Sequence, residues 1–210
     1  MLPREDIRVA LAAHPPRLIE DPARAHAAVA VVLREAADAA RSPELLLIER
    51  SRHEGDPWSG HMAFPGGRVE PGDPDSRATA ERETFEEVGL PLAGADLLGR
   101  LDDVEGRQGR RSLPLVVSAW VYHVPEPGPL ALNYEVEEAL WVPVRRLVDP
   151  RHHVEYPTPP WTGYPGILVG RPDRHVVWGL TYRFLEIFLE KLGHPLPDRW
   201  SRVPEARPDE

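Results

Sequence analysis

Arg82-Glu83-Thr84-Phe85-Glu86-Glu87-Val88-Gly89-Leu90 is the stretch of this 210-residue chain that constrains it most. Glu83, Glu86 and Glu87 stand at i, i+3 and i+4, which on a helix places their carboxylates on one face. Ala80, Thr84 and Val88 repeat every four residues, and Phe85 adds bulk beside that row, so this side is expected to pack inward. The pattern predicts a helix over 75–88 that stops at Gly89. A solvated acidic face is the commoner fate of such a helix, but it fits badly here. Like charges at these spacings oppose the helix by ~0.2–0.5 kcal/mol per pair, Glu81 adds another acid, and Arg82 is the only basic residue nearby.

A divalent cation removes that conflict. Mg²⁺ and Mn²⁺ prefer carboxylate and carbonyl oxygens, and they keep water ligands that phosphate oxygens can share. Upstream, Phe64-Pro65-Gly66-Gly67 can turn the backbone so that a carbonyl faces the helix. Arg82, four residues before Glu86, is spaced to orient a neighbouring carboxylate.

Composition narrows the function from outside. A hydrophobic share of 41% and a charged share of 28% are ordinary for one globular domain with a real core, read here as a single domain over 1–210. A net charge of −9 disfavours a sequence-independent grip on long nucleic acid, which needs a basic footprint. It leaves a small anionic ligand open, because one metal ion inverts the local field. Zero cysteines removes disulfides, thiolate catalysis and thiolate zinc sites. No apolar run reaches the ~18 residues of a membrane span, and no signal core or address motif is visible, so the expectation is a cytoplasmic protein with no membrane partner. Nine histidines invite a zinc reading, yet none has the H-E-x-x-H spacing, and adjacent His152 and His153 would point to opposite faces of a strand.

Further along the chain, a short helix is expected over 4–13 within an N-terminal extension of about 1–26. Continuous apolar runs at 27–33 and 45–48 read as strands covered on both faces. An irregular segment at 51–75 precedes the acidic helix. Strands follow at 113–124 and 136–142, then a Pro/His/aromatic loop at 149–165 and short strands near 167–169 and 175–178. Leu180, Phe184, Ile187 and Phe188 recur at helical spacing, predicting a last helix over about 179–192. Trp58, Trp161 and Tyr164 fall in loops, where they could stack on a base or plug a small satellite core, whereas Trp141 and Trp178 flank strands and are expected in the core. The order is that of an α/β layered domain.

The segment Gly66-Gly67 through Leu90 resembles the Nudix box, about residues 66–90, a glycine turn followed by a helix ending R-E-x-x-E-E-x-G-hydrophobic. Arg82 to Leu90 matches at every defining position except Thr84, where an aliphatic residue is usual. The first half departs: Asp73 stands where Glu is usual, and the stretch from Asp73 to Arg82 is one residue longer. That variant is like the branch of the family that hydrolyses coenzyme A. Leu45 to Ser51, Gly60 with Phe64-Pro65-Gly66-Gly67, Glu138 to Pro143, and Val177 to Thr181 look like that branch's other landmarks. An arginine usual four residues before Gly60 is Asp56 here, with Arg52 or His53 as substitutes.

The resemblance implies a Nudix-type α/β/α sandwich with a mixed central sheet, and hydrolysis of a diphosphate by Mg²⁺ or Mn²⁺. It also implies a small-molecule diphosphate substrate and, in many members, a homodimer. Glu83 and Glu87 would be metal ligands, Glu86 a ligand to a second metal or a water-mediated contact, and the Gly66 carbonyl a further ligand. Arg82 would orient the carboxylates. The general base is a box glutamate or one from the later run Glu135, Glu137 and Glu138, with Glu135 the first choice. Coenzyme A or its thioesters lead as substrate. ADP-ribose, NADH and nucleoside triphosphates stay open, as does a catalytically silent nucleotide sensor on the same fold.

Overall fold

The computed structural model describes residues 4–36, 42–54, 58–108, 111–159 and 161–200. Its elements run α1 (Arg4–Ala12), β1 (Ala25–Arg34), β2 (Glu44–Arg50), β3 (Met62–Ala63), β4 (Gly66–Arg68), α2 (Ser76–Val88), β5 (Asp96–Arg100), β6 (Val104–Gln108), β7 (Arg111–His123), β8 (Val136–Pro143), α3 (Val144–Val148), β9 (His153–Glu155), β10 (Pro165–Leu168), β11 (Val176–Val177) and α4 (Gly179–Lys191).

The unbroken apolar runs of β1 and β2 are explained by two cores, one on each side of the sheet they share. Val31, Leu33, Leu45 and Leu47 face α4, meeting Tyr182, Phe184, Leu185 and Phe188. Ala28, Ala30, Val32, Leu46 and Ile48 face α2, meeting Ala80 and Val88. Successive strand residues point to opposite faces, so only a strand covered on both sides can be apolar throughout. The main sheet is mixed. β1 runs parallel to β7 and antiparallel to β2 and β4, and β3, β5, β6 and β8 complete it. β9, β10 and β11 form a separate small sheet. With α2 on one face and α4 on the other, the layering is the expected α/β/α sandwich.

Several elements were not foreseen. β5 (DLLGR) and β6 (VEGRQ) lack an alternating pattern and become strands by pairing with β7. α3 is five residues long, too short to show a helical period. The segment 51–75 carries β3 and β4, and the loop 149–165 contains a turn of 3₁₀ helix at Pro150–His152 before β9.

Candidate active site

The acidic helix begins and ends where its sequence says. Asp75 caps it, accepting from the Ala78 N–H at 2.8 Å. Gly89 closes it in the left-handed region at φ 68° and donates its N–H to the Phe85 carbonyl. The row Ala80, Thr84 and Val88 is buried on the sheet, and the Thr84 hydroxyl donates to the Ala80 carbonyl at 2.7 Å. Among the described residues that hydroxyl bonds only within its own helix. Thr84→Val is therefore expected to leave turnover unchanged and to shift stability by less than about 1 kcal/mol, as thermal unfolding would read. Phe85 corrects the expectation of inward packing: it is 58% exposed, because the helix contacts the sheet along one narrow row and Phe85 lies outside it.

The two glycines before the helix have different duties. β4 pairs with β1 so closely that a Cβ on Gly66 would lie 2.2 Å from the Ala28 carbonyl oxygen and 2.6 Å from the Val29 Cα. A Cβ on Gly67 would instead lie 2.3 Å from the Glu83 carboxylate. The Gly66 N–H donates to Glu87 at 2.8 Å. The glycine turn thus brings bare backbone up to Glu83 and Glu87 and leaves the two carboxylates against it.

Glu87 is buried, and burial pushes its carboxyl up to about 8. The Gly66 N–H and the charge of Arg50 pull the other way, while Glu83 and Glu135 add to the rise. Burial also raises Glu83, against the pull of Arg82 and with the repulsion of Glu86 and Glu135. Glu86 is exposed and accepts from Arg82 at 3.2 Å, so of the three box glutamates only Glu83 and Glu87 lie against the glycine turn. Arg82 is itself clamped. It donates to both oxygens of Asp73 at 3.0 Å, to Glu83 at 3.0 Å and to the Arg68 carbonyl at 3.1 Å. Asp73, held well below the usual carboxylate range chiefly by Arg82, also accepts from Thr79 and the Glu70 N–H. The shorter acid at this position reaches Arg82 all the same. Asp73→Ala should release Arg82 and lower turnover by roughly 10–100-fold, the usual cost of losing a group that orients a ligand, and a kcat and KM determination would check it.

Glu135 belongs to the same neighbourhood. The loop before β8 docks on the end of α2, with the Ala131 N–H bonded to the Val88 carbonyl and the Asn133 N–H to that of Glu87. The charge of Glu135 acts on both Glu83 and Glu87. Glu137 and Glu138 turn instead towards Arg174 and Arg171. Arg50, whose charge offsets Glu87, was missed in the sequence because it is distant from the box and arrives there through β2. Gly66 is described through its N–H to Glu87. Asp56 lies outside the described residues; Arg52 lies over Gly60, its Nε 3.4 Å from where a Cβ would stand.

Two other groups compete for attention. Glu49, Glu138 and His175 bring ligand atoms within 4.8 Å of one another. However, the His175 Nδ1 accepts the Arg171 N–H at 3.0 Å, which puts the ring proton on Nε2, the atom a cation would need. Arg174 already binds both oxygens of Glu49, and Arg171 binds Glu138. Guanidinium groups thus fill the places of a metal, and the cluster is an ion-pair network joining β2 and β8 to the turn before β11. The aromatics form a second group. Trp178, expected in the core, is half-buried and stacks on Tyr156 at 4.2 Å, with His61, Trp161 and Tyr164 around it. Trp161 and Tyr164 are thereby satellite packing. Trp141 does pack on the second core, under the Arg34 guanidinium at 4.4 Å. A cavity of about 400 Å³ lies apart from the acidic pair, lined by Ile19, His26, Ser76, Arg100 and Ser118.

Residues 24–161 match the model of the NUDIX domain family. This chain is a Nudix hydrolase. As such the hydrolase is an enzyme of the diphosphate-cleaving class. It is similar to the mitochondrial coenzyme A diphosphatase NUDT8 of Homo sapiens, 31% identical over 81% of this chain and 72% of that protein. It is also similar to an uncharacterized protein of Schizosaccharomyces pombe, 37% identical over 61% of this chain but spanning only 44% of that protein. Among solved structures, the NUDIX domain of Shewanella oneidensis NrtR complexed with ADP ribose aligns with a TM-score of 0.54 at 17% identity, covering 82% of the hydrolase and 94% of that chain. That likeness speaks to the fold. No helix among the described residues is long and apolar enough to cross a membrane.

Proposed function

We propose that the hydrolase cleaves the diphosphate of coenzyme A or its thioesters with Mg²⁺ or Mn²⁺, releasing adenosine 3′,5′-bisphosphate and (acyl-)4′-phosphopantetheine, and that it does so in the cytoplasm. The observation that carries the reading is the pair Glu83 and Glu87, two carboxylates set against the glycine turn and largely removed from water, whose ionisation is opposed by burial, with the charge of Glu83 adding to the rise at Glu87. Hard oxygen donors in that state fit a divalent cation, with Glu83 and Glu87, the Gly66 carbonyl and Glu86 as the groups that would hold it. When bound, the cation would neutralise the diphosphate and acidify the attacking water.

The protein's own part is positioning. The Gly66 N–H holds Glu87, Arg82 holds Glu83 and Glu86, and Asp73 holds Arg82. Glu135, on the docked loop, takes the proton as a water oxygen bonds to phosphorus and the bridging P–O bond breaks. The choice of coenzyme A rests on the sequence resemblance around the box and on the human relative.

Turnover should be measured on coenzyme A, acetyl-coenzyme A, ADP-ribose, NADH and a nucleoside triphosphate, with each metal, identifying products by mass. Adenosine bisphosphate at a clearly dominant kcat/KM supports the proposal. Preference for another diphosphate would move the specificity and keep the chemistry. No metal-dependent turnover across the panel would overturn it and leave two readings, a diphosphate outside the panel or a silent nucleotide sensor.

A further inference from the structure

Beside the acidic pair the chain leaves one large ring almost wholly in water. Tyr134 is 76% exposed, although its backbone is fixed on both sides. The Asn133 N–H is bonded to the Glu87 carbonyl at 3.0 Å, and the Glu135 carbonyl accepts the Ser51 N–H at 2.7 Å. The next residue, Val136, is buried, and the Glu135 N–H bonds to the Asn133 side chain at 2.8 Å. Tyr134 therefore stands on a bridge between the end of α2 and the exit of β2, one residue from Glu135.

The ring is also oriented. Its edge meets His53, with ring centroids 6.4 Å apart and planes at 77°. His53 is exposed and held in turn, its N–H bonded to the Ser59 hydroxyl at 2.9 Å, and its carbonyl accepting from that hydroxyl at 2.8 Å. A ring that served only to fill space would turn towards the core, as Val136 beside it does. Tyr134 is instead held by the backbone bonds on either side of it and by His53 at its edge, so less conformational freedom remains to be lost when a planar partner lies on it.

We propose that Tyr134, with His53 at its edge, stacks on the base of the nucleotide half of the substrate. The proposal rests on the reading above for the position of the diphosphate, which the acidic pair holds next to Glu135. A nucleobase suits the ring better than an aliphatic arm, because every base offers a flat π-face and base–aromatic stacking is worth roughly 1–3 kcal/mol, about 5- to 150-fold in affinity. Stacking needs no hydrogen-bond pattern, so Tyr134 would favour a nucleotide over a bare diphosphate without selecting strongly among bases.

The full-length protein and its Tyr134→Phe and Tyr134→Ala variants would be titrated by calorimetry with two non-hydrolysable probes, α,β-methylene-ADP and methylenediphosphonate, in Mg²⁺ and in EDTA. Tyr134→Ala should weaken α,β-methylene-ADP at least about fivefold, Tyr134→Phe should keep most of the affinity, and methylenediphosphonate should bind all three proteins alike. Equal losses on both probes would overturn the proposal, since the ring would then act through Glu135 or the loop. So would no loss on either probe, or a Phe variant as weak as the Ala variant. Failure of Mg²⁺ to strengthen methylenediphosphonate binding to the wild type is a separate result. It would count against the diphosphate reading, while the Ala and Phe comparison on α,β-methylene-ADP would still decide the role of the ring.

Discussion

Glu87→Gln is expected to lower metal-dependent turnover by at least about 100-fold while making the metal-free protein more stable at pH 8. Both effects come from one buried charge. In the folded protein the Glu87 carboxyl is pushed up to about 8, against an ordinary value of 4.5. The folded state therefore holds this proton more tightly than the unfolded chain does. The stability that goes with the proton is fully present below about pH 4.5 and is lost as pH rises through about 8, with a total on the order of a few kcal/mol. Glutamine keeps an oxygen for the Gly66 N–H and cannot ionise, so the variant should escape that loss. Tm of the two metal-free proteins, followed from pH 5 to pH 8.5, should fall more steeply for the wild type than for the variant, which keeps only the raised carboxyl of Glu83 at the pair. Saturating Mg²⁺ or Mn²⁺ should restore the wild type at pH 8 and do much less for the variant, because only a cation bound to the folded state shifts the equilibrium. A variant with normal turnover would remove Glu87 from the metal site.

Adding one methyl group to each of the two glycines should separate folding from chemistry. Gly66 has φ 151°, and its Cβ would collide with the backbone of β1. Neither strand can yield without breaking the β1–β4 pairing, so Gly66→Ala should cost at least about 3 kcal/mol, or recover little folded protein. Gly67 has no such backbone restriction, and the atoms nearest to its new Cβ would be the far end of the Glu83 side chain. Gly67→Ala should fold with Tm lowered by no more than about 4 °C, while displacement of Glu83 reduces kcat by roughly 10–100-fold. Urea unfolding and initial rates on the two variants would check the pair. Equal destabilisation would mean that Gly67, too, serves the sheet.

The acidic helix was legible because its evidence is local. The buried row at four-residue spacing and the terminal glycine act within one turn or two, so Ala80, Thr84, Val88 and Gly89 could be read from order alone. Phe85 could not, because exposure depends on how wide a strip of the helix the sheet covers. The apolar runs of β1 and β2 were legible for a related reason: a strand buried on both faces has no polar alternation to confuse the reading. β5 and β6 were not, because their strand character comes from β7 and not from their own residues. Trp178 was misjudged because a large aromatic beside a strand is as useful in a satellite cluster as in the core, and only the partners decide which.

Sequence by itself determined the family, the layered α/β class, the acidic helix with its glycine turn, and the residue types able to hold a divalent cation. Tertiary structure alone decided which carboxylates are removed from water. It placed Glu87 under the Gly66 N–H, turned Glu86 outward to Arg82, brought Arg50 from a distant strand and Glu135 from a distant loop to the pair, and filled the rival Glu49, Glu138 and His175 cluster with guanidinium groups. The division has a physical reason. Helix faces and glycine conformations follow from neighbours a few residues away, whereas the burial and charge environment of a carboxylate depend on whatever the fold brings against it.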